Sequence, residues 1–168
     1  MTRWELSLHE AGHAVAAHVL TAGKPAAAVL QDQNSGMAWP LVEMTPTDRA
    51  IMTAAGPLAE PLADRHPAPE LPPAIADRPP TVETIADAET AADFQNDLKR
   101  GVPDDVAIAR WCISGIEGQP ERWARRHVWV HSLAERLICN HERSIVEAAR
   151  VLYLRGVVSL PLTERIPH

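Results

Sequence analysis

The sequence predicts a mainly α (α+β) domain built from helices around one small β-hairpin or sheet. Three observations carry this. Apolar residues recur at helical spacing through most of the chain, so each helical stretch has one face to bury. A single place, around residues 26–44, combines short extended segments with a cluster of turn formers. No strand pattern alternates with the helices, which excludes a doubly wound sheet. The chain has 168 residues, enough for one domain with a real core and too few for two substantial ones.

The first helix should start at Thr2, because Thr2 and Glu5 have capping-box spacing and can satisfy each other's backbone donors. Leu6, Leu8, Val15, Val19 and Leu20 with several alanines supply its apolar surface, and Gly23 followed by Pro25 stops it. Inside it lies His9-Glu10-Ala11-Gly12-His13. Residues four apart share a helix face, so His9 and His13 can direct two imidazole nitrogens at one metal ion. Glu10 is about 100° further round, within reach of a water on that metal without being a ligand. With 8 histidines and 13 glutamates in the chain, chance would produce about 0.03 copies of this spacing. The pattern is that of a zinc hydrolase: two histidines and a third protein ligand hold Zn2+, a water takes the open position, and Glu10 is the general base. Gly12 costs up to about 1 kcal/mol of helix stability relative to alanine, which makes sense if another backbone passes close by. His18, nine positions from His9, belongs to the opposite side and reads as a core or surface histidine.

Ala26–Gln31 and Met37–Met44 read as the two arms of a hairpin about Asp32-Gln33-Asn34-Ser35-Gly36. Pro40 suits its second arm to a sheet edge, where an extended peptide could be added as a strand. Thr47 can cap a second helix with Ile51, Met52, Ala55, Leu58, Ala59 and Leu62 as its stripe. Gly56-Pro57 and Pro61 predict a kink or break near Gly56. Residues 67–80 hold six prolines and no apolar period, as expected of a loop or insert. Helix is expected again over Thr90–Lys99, from Asp104 through Ile113, and from Gln119-Pro120 to near Gly156. In the last stretch Trp123, Val130, Leu133, Leu137, Ile145, Ala149 and Leu152 are inward candidates.

Composition narrows the function classes. The net charge of −6 argues against nucleic acid as the main partner. Residues 1–90 carry 5 basic and 12 acidic side chains, and residues 91–168 carry 11 and 10. The densest basic cluster, Arg122, Arg125 and Arg126, reads as a solvated helix face. No phosphate-binding glycine loop is present, so no nucleotide is expected. No apolar run is long enough to span a membrane and no secretory signal is evident. Cys112 and Cys139 read as buried thiols of a reducing compartment, so the expected location is cytoplasmic.

The third zinc ligand is left open by spacing alone. Glu60 and Asp97 are the leading carboxylates, with Asp93, Asp104 and Asp105 nearby. The ordered set of motifs resembles the peptidase domain of the FtsH-type ATP-dependent zinc metalloproteases. His-Glu-Ala-Gly-His-Ala, the hairpin, Ala55-Gly56-Pro57-Leu58-Ala59-Glu60, Asn96-Asp97-Leu98 followed by Ala107-Ile108-Ala109-Arg110, and the closing helical stretch occur in that family's order. The resemblance implies His9, His13 and Asp97 as zinc ligands, Glu10 as base and Glu60 in support of the ligands. It implies a zinc metalloendopeptidase acting on peptides or unfolded protein segments. The family's ATPase module and membrane anchors have no counterpart, so ATP-independent action is expected. Pro57 in place of an arginine, and the added length at Val102-Pro103-Asp104-Asp105, depart from the family's pattern. A zinc-stabilised interaction module without catalysis is the alternative, and Glu10 argues against it.

Overall fold

The computed structural model describes residues 1–31, 35–70, 103–116 and 118–162. These form four α-helices and a three-stranded antiparallel sheet, a mainly α (α+β) architecture. Helix α1 spans Arg3–Leu20. Thr2 and Glu5 close the expected capping box, and the helix ends as the backbone turns left-handed at Ala22 and Gly23. His18 helps fix that turn through Nδ1, which donates to the Lys24 carbonyl at 2.7 Å.

α1 is the central element, buried along most of its length and packed against both neighbouring helices and the sheet. Strand β1 (Ala26–Leu30) is buried at every residue and is the middle strand of the order β2-β1-β3. Strand β2 (Gly36–Pro40) pairs with it from Leu30↔Gly36 to Ala26↔Pro40. Pro40 thus sits on an edge strand, where its missing amide costs no ladder bond. Strand β3 (Val157–Leu160) pairs on the other side and was not anticipated. Its four residues are too short to show a period, and Gly156 creates it: a left-handed C-cap that ends the last helix while its carbonyl accepts from Leu30 N at 2.8 Å.

Helix α2 (Pro46–Ala59) is capped by Thr45. It runs through Gly56-Pro57, where a kink or break was expected, and tightens to a 3-10 turn only over Glu60–Asp64. Pro57 is exposed, so its ring points to solvent and the carbonyl it leaves unbonded can be hydrated. Helix α3 (Asp104–Ile113) begins where expected.

Helix α4 (Pro120–Arg155) bends at His141, which leaves helical geometry (φ −120, ψ 17). Just beyond the bend, Glu142 pairs with His66 Nε2 at 2.7 Å and Arg65 at 3.1 Å, tying α4 to the end of the 3-10 turn. Its C-terminal part is buried, but the first turns protrude. Trp123, expected inward, is exposed there. Cys139 is likewise exposed, contrary to expectation, while Cys112 is fully buried. The helix stretch expected over Thr90–Lys99 and most of the proline-rich segment at 67–80 lie outside the described residues. No helix among the described residues is long and apolar enough to cross a membrane.

Candidate metal centre

The two histidines of α1 point to one spot, and each is oriented by a partner on α2 or its extension. His13 Nδ1 lies 2.8 Å from the Met52 carbonyl. A carbonyl only accepts, so Nδ1 donates to it and Nε2 is left facing the centre. His9 Nδ1 is 2.7 Å from Glu60 Oε1, the contact by which a carboxylate orients a ligating imidazole. The two Nε2 atoms are 3.1 Å apart.

Asp104, the first residue of α3, completes the cluster. Its Oδ2 is 3.1 Å from His9 Nε2 and 3.1 Å from His13 Nε2. Tetrahedral zinc with bonds of about 2.0–2.1 Å sets its ligand atoms about 3.3 Å apart, so this near-equilateral triangle fits such an ion with slight opening. Asp97, implied as third ligand by the family resemblance, lies outside the described residues. Among those residues Asp104 is the carboxylate that faces both Nε2 atoms. Its sequence signal was weak: an Asp-Asp pair after a proline reads equally well as a helix start.

Three glycines make room for this arrangement. At Gly12 a Cβ would stand 2.7 Å from the Ala55 carbonyl oxygen and 2.8 Å from Ala59 Cβ, so α1 and α2 cross there in backbone contact. At Gly56 a Cβ would come within 2.3 Å of the His13 ring. A Cβ at Gly36, the first residue of β2, would meet Glu10 Cγ at 2.7 Å. The expected close approach at Gly12 is therefore present. Gly56, by contrast, serves His13 rather than a helix break, and only the tertiary contact reveals it.

The charges are strongly coupled. Glu10 is buried beneath β2, with Oε2 lacking a hydrogen-bond partner. Burial pushes its carboxyl up against the lowering pull of His13 and His9. Burial also opposes charge on His9, but Asp104, Glu10 and Glu60 outweigh it and raise the imidazole to about 9. Desolvation likewise works against the Asp104 carboxylate, yet hydrogen bonds from His13 and His9 hold it well below the usual carboxylate range. Two imidazoles and a carboxylate so placed are a donor set that could hold a metal ion.

No protein-family model and no curated protein sequence matches the chain.

Proposed function

We propose that this protein is a zinc-dependent metalloendopeptidase, related to the FtsH peptidase domain, that cleaves peptides or unfolded protein segments. The convergence of His9 Nε2, His13 Nε2 and Asp104 Oδ2 at 3.1 Å carries the reading. These three would hold zinc, with Glu60 and the Met52 carbonyl fixing the imidazole rings. Bound zinc supplies a Lewis acid that acidifies water and polarises a scissile carbonyl. Three donors, rather than four, converge among the described residues, which suits an open catalytic position better than a closed structural one.

Glu10 supplies the proton chemistry. Its buried carboxyl, raised by desolvation, is suited to take a proton from the attacking water and return it to the leaving amide nitrogen. Among the described residues β2 is an edge strand and lies over Glu10, where an extended substrate can be added as a strand. Two unpaired cysteines suit a reducing, cytoplasmic setting.

The test is Glu10→Gln. The variant should bind about one zinc per chain, keep the fold and lose hydrolysis of casein or denatured substrates, because an amide cannot accept the proton. Retained hydrolysis would remove Glu10 as base. Absence of cleavage by the zinc-loaded wild type on every unfolded substrate would remove the peptidase reading.

A further inference from the structure

Away from the metal centre, a cleft of about 370 Å³ opens between the turn after α3 and the first turns of α4, lined by Ile116, Arg122, Arg125, Arg126 and Trp129. The arginine cluster is exposed at Arg122 and Arg125, as expected of a solvated face, and it borders this open depression. Arg126 is held in place, donating to the Ser114 carbonyl at 2.8 Å with its guanidinium 5.6 Å from the centre of the Trp111 ring. Arg122 and Arg125 make no ion pair with a described residue. On a chain of net charge −6, three guanidiniums beside an indole and an isoleucine select an anion that carries apolar surface.

The position suggests the occupant. Helix α3 joins the two sites: Asp104 opens it at the metal centre, and Ser114, which holds Arg126, caps its far end. Val106 and Ile113 are exposed along it, two turns apart on one face of the helix. Ten helical residues span about 15 Å, which about five residues of extended chain also cover. A membrane fits poorly. Trp123, Val128 and Trp129 are all exposed, but helical geometry spreads them round α4 by roughly 100–140° each, so no single plane can take them.

We propose that this cleft is an exosite for acidic polypeptide segments. It would seat a carboxylate side chain with an apolar neighbour about five residues from the bond held at His9, His13 and Asp104. The distance to the scissile bond rests on the peptidase reading; binding in the cleft does not.

The experiment uses zinc-loaded Glu10→Gln protein and fluorescent decapeptides in which Asp and Glu next to Leu and Phe are either kept or changed to Asn and Gln. Polarisation should show the acidic peptide binding more tightly at low salt, with the preference shrinking in about 0.3 M salt. Arg122→Gln with Arg125→Gln should weaken the acidic peptide on the order of fivefold to tenfold and leave the amide peptide unchanged. Paired Arg→Lys variants should recover most of the loss, and melting curves should match wild type because both side chains are exposed. Equal affinity for the two peptides, or no effect of the double variant, would overturn the proposal. So would arginine-dependent binding of phosphatidylserine vesicles or self-association without acidic-peptide preference. Binding of acidic peptides that the wild type never cleaves would sink the peptidase reading and leave the exosite standing. Cleavage indifferent to the arginines and to peptide charge would do the reverse.

Discussion

Both histidines of the proposed metal centre are oriented by a second group, so single substitutions should separate roles. Asp104→Ala should weaken zinc binding sharply, and Glu60→Ala by a smaller factor, on the order of 10–100-fold, as measured by competition with a chromophoric chelator. Unchanged affinity in Asp104→Ala together with a loss in Asp97→Ala would give the third position to Asp97, as the family resemblance implies. Gly56→Ala should damage the centre although it touches no metal. The new methyl would occupy the His13 ring position, and that ring cannot retreat without losing its bond to Met52. A loss of zinc affinity of about 10–100-fold is expected, read in the same assay. The residues of the helical motif were legible in the sequence because i, i+4 spacing is a local property. Asp104 and Gly56 were not: their roles arise from contacts across 91 and about 43 positions, which no local period records.

Between elements, the closest meeting is that of α1 with α2. Backbone contact at Gly12 brings Glu60 and the Met52 carbonyl up to the two histidines. Gly12→Ala removes a poor helix former, which alone would favour the folded state by up to about 1 kcal/mol. Against this, the added methyl meets the Ala55 carbonyl and Ala59, and overpacking of this kind costs about 1–3 kcal/mol. The net outcome should be a lower melting temperature together with weaker zinc binding, seen by calorimetry and metal titration. A more stable variant would show that the helices separate easily. At this scale the helices were readable from cap and stop residues. Their interruptions were less so: Gly56-Pro57 signals a break that a solvent-facing proline avoids, while the bend at His141 has no glycine or proline to announce it.

For the whole molecule, the coupled charges predict a pH dependence that differs between metal-free and zinc-loaded protein. In the metal-free protein His9 is raised from 6.5 to about 9. Its stabilisation is therefore complete below about pH 6.5 and is lost as pH rises through about 9. Asp104 is lowered, so its contribution is present above the ordinary aspartate range and is lost only in acid. The metal-free protein should thus lose melting temperature between about pH 6.5 and 9. Zinc needs the neutral imidazole, so its affinity rises over the same interval, and the gap between zinc-loaded and chelator-treated melting curves should widen. A constant gap would show that His9 is not protonated in the metal-free centre.

The same three donors also bear on how the chain is fastened. His13 and Asp104 are 91 positions apart, and a metal between them would close that length of polypeptide into a ring. In the chain-entropy treatment of cross-links, a ring of this size restricts the unfolded chain by an amount equivalent to about 4–5 kcal/mol. The centre would then be a removable rivet as well as a reactive one. Metal supply in the cell would set how long each copy survives, in addition to how fast it works.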